Sequence, residues 1–190
     1  MSQANLAKSS ELKTNNSKFA VRSYDSFSKW MHWTMAIIII YATLAGYSML
    51  LVMDKPKLFH TLSIINMSVA TVAAVLLLFR WVWSFFRVEP ELPDTIPTVQ
   101  KKIAKLAHSV IYLIMLVVFV SGFLMLTHSY ELFGLFTIPN PISNPEINQF
   151  FFMVHRVSCA LLAGLIVLHI FAALKHHFVN KNNVLKSMVS

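Results

Sequence analysis

The sequence has a single cysteine, Cys159, and none of the common short motifs of enzyme active sites. One cysteine cannot form an intrachain disulfide, and it cannot supply the Cys-x-x-Cys-His motif that attaches haem covalently. A P-loop, a dinucleotide-binding fingerprint, a Gly-x-Ser-x-Gly elbow and a His-Glu-x-x-His motif are also missing. The sequence therefore predicts no catalytic residue of these classes.

Charged residues are scarce, at 13% of the chain, and hydrophobic residues make up 56% with a mean hydropathy of +0.62. A soluble domain would carry about a quarter charged residues. Four apolar stretches lie at about 31–53, 61–83, 106–126 and 150–174. Each is long enough to cross a hydrocarbon core of about 30 Å as a helix, and none alternates as a barrel strand would. The sequence predicts an all-α membrane protein, a bundle of four transmembrane helices.

The basic residues are divided unequally between the two ends of this predicted bundle. Of the sixteen Lys and Arg residues, thirteen lie before the first span, from the end of the second span to the start of the third, or after the fourth. The other side has Lys55 and Lys57, and Arg156 lies within the fourth span. The positive-inside rule then predicts that both termini are cytoplasmic. Residues 1–23 are expected to form a flexible cytoplasmic tail, and residues 24–190 the transmembrane domain. The net charge of +8 is explained by topology and attraction to anionic lipid, so we expect no nucleic-acid partner.

Histidines in the spans are the candidates for chemistry, because ionisable residues are costly in lipid. His155 and His169 are 14 residues apart in one span. At about 100° and 1.5 Å per residue they share a face and lie about 21 Å apart. His32 opens the first span from the cytoplasmic side and so matches the depth of His169. Two facing imidazoles suit a b-type haem. Zinc or a proton relay would also use histidines, but the span interiors lack acidic residues, which disfavours both.

Several motifs together resemble the bacterial cytochrome b561 family over residues 22–188. They read "KWMHW" at span one, "LLLFRWVW" closing span two, "KLAHSVIYL" and "VSGFLM" in span three, "VHRV" in span four, and finally "LHIFAALKHHFVNKNNVLKSM". The resemblance implies four helices and two haems, each held by two histidines. The cytoplasmic-side haem would use His32 and His169. The outer haem would use His155 and a histidine early in span two, a position that holds Asn66 here.

Asn66 is a departure from the family pattern, since an amide is a poor ligand of haem iron. His60 is the only histidine nearby, and we expect it in the loop before span two. The outer haem is therefore disfavoured, although an insertion that makes His60 the equivalent ligand stays open. Without that haem, His155 would be a hydrogen-bonding core histidine, paired with Asn66, or the fifth ligand of an open haem.

Other polar residues have weaker assignments. The family tends to have a histidine where His108 lies, so His108 would contact a haem propionate, form a supporting hydrogen bond or serve a quinone site, with helix packing as the alternative. Arg80 would pair with a haem propionate or simply set the topology. Arg156 would contact an outer haem propionate or lipid phosphate. His176 and His177 are expected at the lipid interface, and His128 in solvent. The loop 127–149 is expected to cover the outer end of the bundle.

The resemblance implies a membrane b-type cytochrome of the bacterial plasma membrane that carries single electrons in a respiratory or redox chain. With one haem intact, it would exchange electrons with the quinone pool and an unidentified redox protein, with quinone-linked oxidoreductase activity left open. The alternatives are a two-haem superoxide:quinone oxidoreductase-type cytochrome with His60 recruited, and a haem-free membrane anchor or binding subunit. A homodimer is also left open.

Overall fold

The computed structural model describes residues 23–87, 96–182 and 184–189. Within them are four long helices, α1 (Ser26–Leu51), α2 (Pro56–Trp83), α3 (Thr98–Leu124) and α4 (Pro145–Leu174). All four are long and apolar enough to cross a membrane, which confirms the predicted helical membrane fold. The predicted tail lies outside the described residues except for residue 23, and so does most of the proline-containing linker between α2 and α3.

Each helix begins five to eight residues before the apolar stretch that predicted it. Side-chain caps mark the starts of α1 and α4. The Asp25 carboxylate accepts hydrogen bonds from the Ser28 backbone N–H at 2.9 Å and from the Ser28 hydroxyl at 2.7 Å. Slight burial raises the pKa of Asp25, but the two hydrogen bonds with Ser28 lower the pKa by more than burial raises it. The pKa therefore lies below its usual range. The Asn144 side chain caps α4 in the same way.

The four helices pack as two hairpins, α1 against α2 and α3 against α4. The hairpins meet around a central apolar cluster to which all four helices contribute: Met35, Ile39, Leu77, Met115, Val118 and Leu162. We call the end of the bundle where α1 begins and α4 ends the terminal end. The opposite end, where the loops within the two hairpins lie, is called the hairpin end.

The loop between α3 and α4 contains two short antiparallel strands, β1 (Tyr130–Leu132) and β2 (Phe136–Ile138). They are joined by a turn in which Phe133 and Gly134 both have positive φ, 52° and 72°. Strand β1 packs on α2, and Tyr130 is buried there. The loop thus covers α2 at the hairpin end, as expected, but it adds strand structure that the sequence did not predict.

The chain beyond α4 returns to the start of α1. It continues through a π-helical turn, Lys175–Val179, and ends in the short helix α5, Lys186–Val189. The backbone N–H of Tyr24 donates to the Ser187 carbonyl at 3.1 Å. The indole of Trp33 donates to the Met188 carbonyl at 3.0 Å, so the C-terminal segment is tied to the first turns of α1.

Candidate functional site

The terminal end of the bundle gathers polar side chains from all four helices. We call this group the terminal cluster, and its members are His32 from α1, Arg80 from α2, His108 and Tyr112 from α3, and His169 from α4. Arg80 lies in the last turn of α2, where that helix reaches the depth at which α1 begins. The antiparallel order of the helices therefore brings together residues that are far apart in the sequence.

Arg80 connects two other helices within the terminal cluster. Its Nη2 lies 3.3 Å from His32 Nδ1. Its Nε donates to the Tyr112 hydroxyl, and its guanidinium carbon lies 5.7 Å from the centre of the Tyr112 ring. The remaining nitrogen, Nη1, is buried and has no hydrogen-bond partner among the described residues. A buried cationic N–H without an acceptor is costly, so this position favours an anionic ligand.

The three histidines of the terminal cluster are neighbours. The rings of His108 and His169 have centroids 5.2 Å apart, with their planes at 71°. His32 is close enough to both for an electrostatic interaction. Across the ranges that the structure describes, no group of three or more His, Cys, Asp or Glu side chains is arranged to hold a metal ion directly. The cluster thus offers separate imidazole donors rather than a converged metal-ion cage.

These residues fit a b-type haem by the chemistry of their donors. Imidazoles from different helices, His32 of α1 and His169 of α4, can supply ligand nitrogens, and the unpartnered Nη1 of Arg80 can receive a propionate carboxylate. The sequence patterns did not identify Tyr112 as a site residue. It lies four residues after His108, and this spacing places two side chains on one helix face, so it could have been found.

His155, at the hairpin end, lies in the contact between α3 and α4. Its Nδ1 lies 3.0 Å from the Val118 carbonyl and 3.4 Å from the Ser121 hydroxyl, and its Nε2 lies 3.5 Å from the Cys159 sulfur. A carbonyl can only accept, so Nδ1 carries the proton and Nε2 is left to accept from the thiol. Both ring nitrogens are therefore engaged within the protein.

Asn66 lies on the face of α2 that points into the bundle. Ala73, Leu77 and Arg80 follow it at helical spacing, and the first two are buried. The Asn66 Oδ1 is buried and has no hydrogen-bond partner among the described residues. The pairing with His155 that the sequence suggested is not formed, because the hydrogen bonds of His155 go to α3 and Cys159.

His60 lies within α2, and its predicted place in the loop is wrong. Pro56 starts the helix one turn before His60, because proline is well suited to the first helical position. The His60 side chain is exposed at the hairpin end.

The other polar candidates have local contacts. His176 Nδ1 lies 2.9 Å from Asn182 Nδ2, the His177 ring packs on Phe178, and the exposed His128 pairs with Thr127 at 2.8 Å. The Arg156 guanidinium lies 5.7 Å from the centre of the Phe152 ring. These contacts place none of the four in the terminal cluster.

Comparison with known proteins gives one family. The family model described as prokaryotic cytochrome b561 matches residues 23–190. Cytochrome b561 homolog 2 of Escherichia coli (strain K12) is 27% identical over 171 residues, which cover 87% of this chain and 90% of that protein. Cytochrome b561 homolog 1 of the same organism is 28% identical over 122 residues, which cover 59% of this chain and 69% of that protein.

Proposed function

The chain belongs to the prokaryotic cytochrome b561 family, and from this premise we propose that the terminal cluster is its haem site, with His32 and His169 as the axial ligands. Membership makes the protein a multi-pass b-type cytochrome of the bacterial inner membrane that transfers electrons. The observation that carries the proposal is a buried arginine nitrogen without a partner, on the side chain that contacts His32, at the end of the bundle where His108 and His169 are in ring contact.

Each residue of the terminal cluster has a distinct part in this proposal. A bound haem would supply a one-electron ferric/ferrous couple, and two histidine ligands would leave it no place for a substrate. His32 and His169 donate nitrogen lone pairs. Arg80 offers Nη1 to a propionate carboxylate, and Tyr112 holds the guanidinium in place through Nε. His108 packs on His169 and limits its rotation.

The contacts at the hairpin end argue against a second haem there. A second haem would need the Nε2 lone pair of His155 and a ligand from α2. That nitrogen already faces the Cys159 thiol, and the α2 position holds an amide, whose oxygen is a weak donor to iron. We therefore propose that His155 joins α3 to α4 and binds no cofactor.

One haem at the terminal end also suggests where electrons enter and leave. His155 and His169 mark levels about 21 Å apart along α4, at about 1.5 Å per residue. The apolar central cluster fills the space between them. We propose that the terminal end faces the cytoplasm, and that exchange occurs there or with a quinone in the bilayer, together with a redox protein at that face.

The decisive experiment is haem stoichiometry with a reduced-minus-oxidised spectrum of the purified protein. We expect one haem per chain, and loss of the bis-imidazole spectrum in His32→Ala and in His169→Ala. His155→Ala is the matched control, because it removes an imidazole from the same face of α4 as His169, at the hairpin end of the bundle. It should retain the haem and its spectrum.

The other outcomes identify the competing functions. A ratio near two, with haem lost in His155→Ala, would support the two-haem superoxide:quinone oxidoreductase-type cytochrome. A wild-type protein without any b-type band would support a haem-free membrane anchor or binding subunit.

A further inference from the structure

Arg80 is an unusual neighbour for a histidine that ligates haem. A ligating histidine normally donates its second ring N–H to a carboxylate, a carbonyl or water, which makes the ring a stronger donor. Here the second ring nitrogen of His32, Nδ1, lies 3.3 Å from Arg80 Nη2. A guanidinium has five N–H donors and no acceptor, so it cannot strengthen the ring in that way. For Nε2 to ligate iron, Nδ1 must carry the ring proton, so the 3.3 Å contact with Arg80 is electrostatic and is not a hydrogen bond.

The position of the Arg80 charge is fixed by its other contacts. Its Nε donates to the Tyr112 hydroxyl, and the Tyr112 ring lies against the guanidinium. Arginine stays protonated in proteins, so the charge is permanent. The group is partly buried within the bundle, where a dielectric constant lower than that of water makes a charge at short range act more strongly.

We propose that Arg80 is a positioning residue that raises the reduction potential of the haem through its contact with His32. The ferric state carries one positive charge more than the ferrous state, so a fixed cation beside the ligand disfavours the ferric state. Accepting an electron becomes easier, and no bond is formed or broken. This inference rests on the proposed function, since it takes His32 as an axial ligand.

Potential tuning and propionate binding use different atoms of Arg80. The nitrogen beside His32 is Nη2, whereas the buried nitrogen without a partner is Nη1. A propionate at Nη1 would offset part of the charge but would leave Nη2 beside the ligand. The two roles can therefore be separated by changing the charge and the hydrogen bonds independently.

The test is a spectroscopic redox titration of the purified holoprotein with dithionite and ferricyanide. Arg80→Gln should lower the midpoint potential of the haem that stays bound, and its bis-imidazole spectrum identifies that fraction. Arg80→Lys keeps the charge and should stay close to the wild type. Arg156→Gln is the matched control, because it removes one arginine from α4 at the hairpin end, where the guanidinium contacts Phe152. It should leave the potential unchanged.

Several results would overturn the inference. They are an unchanged or higher potential in Arg80→Gln, an equal fall in Arg156→Gln, and an Arg80→Lys potential as low as that of Arg80→Gln. Loss of haem from both Arg80 variants would overturn it too, because Arg80 would then be required for binding. Failure of the proposed function is distinguishable, since it is marked by a wild-type protein without haem or by an unchanged spectrum in His32→Ala.

Discussion

Gly122 allows the His155 ring to lie directly against the backbone of α3. A Cβ atom added at Gly122 would lie 2.9 Å from His155 Cε1 and 3.1 Å from Nδ1. Both distances are shorter than ordinary van der Waals contacts. The hydrogen bond from His155 to the Val118 carbonyl one turn away requires this close approach. The close packing of His155 against α3 therefore requires a glycine at position 122.

Gly122→Ala should destabilise the protein by about 1–3 kcal/mol, the usual cost of overpacking a filled interior. The added methyl group must displace the ring, which weakens its hydrogen bonds to Val118 and Cys159. Thermal unfolding in detergent, followed by circular dichroism, measures the effect. Gly164→Ala is the matched control in α4, because a Cβ there meets nothing within 4 Å. An equal loss in both variants would contradict the role of the His155 contact.

Residue spacing predicted part of the terminal cluster but not the partners of His155. The shared face of His155 and His169 follows from helical periodicity, and the depth of His32 follows from where its span begins. The neighbours of His155 could not be predicted, because they depend on how α4 is rotated against α3. That rotation is decided by packing at Ser121 and Gly122, which a single sequence does not show.

At the scale of elements, the β1–β2 hairpin packs deep along α2. Leu77 belongs to the central cluster, and Thr71 and Ser68 lie six and nine residues nearer the hairpin end. Ser68 and Thr71 are 12 and 15 residues from the Pro56 end of α2, which is about 18 and 22 Å at about 1.5 Å per residue. Backbone groups at such depth need partners. Ser68 supplies one, since its hydroxyl accepts from the Phe133 N–H at 2.8 Å.

Tyr130 and Thr71 should be energetically coupled, because their hydroxyl oxygens are 2.7 Å apart. A double-mutant cycle of Tyr130→Phe, Thr71→Val and the double variant measures the coupling by thermal unfolding. We expect each single variant to lose about 1 kcal/mol, the typical net value of one hydrogen bond, and the double variant to lose less than their sum. Additive losses would show that the hairpin is held without this bond.

The helices could be predicted from hydropathy, and their starts and the β-hairpin could not. Hydropathy detects the part of a helix that lies in lipid, so it misses polar first turns such as those after Asp25 and Pro97. The same omission placed His60 in a loop. The strands of the α3–α4 loop are three residues each. The side chains that hold this hairpin lie on α2, far away in the sequence. Short elements of this kind depend on tertiary contacts.

At the scale of the whole molecule, the polar side chains named above lie inside the bundle at two levels, with an apolar layer between them. Arg80 and three histidines occupy the terminal end, and Asn66 and His155 occupy the hairpin end. The residues between them, such as Leu77 and Leu162, are buried and apolar. If the proposed single haem lies at the terminal end, this arrangement is suited to exchange on one side of the membrane or with a carrier inside it.

This one-sided arrangement makes orientation the property of the whole molecule that most needs measurement. The basic residues near the described parts of the terminal end, such as Lys102 and Lys186, predict that this end is cytoplasmic. The chain has one cysteine, so Cys159→Ser gives a cysteine-free background. Ser143 in the α3–α4 loop and Lys102 at the start of α3 are both exposed, and each can be replaced by cysteine in turn.

A membrane-impermeant maleimide added to spheroplasts should label Ser143→Cys at once and Lys102→Cys only after lysis. The reason is that the hairpin end would face the periplasm and the terminal end the cytoplasm. Labelling in the reverse order would place the terminal cluster on the periplasmic side. Electron exchange would then have to be assigned to a periplasmic partner, while the proposed haem ligands would be unaffected. Haem content of the Cys159→Ser background should equal that of the wild type, because His155, the partner of this thiol, is not proposed to bind haem.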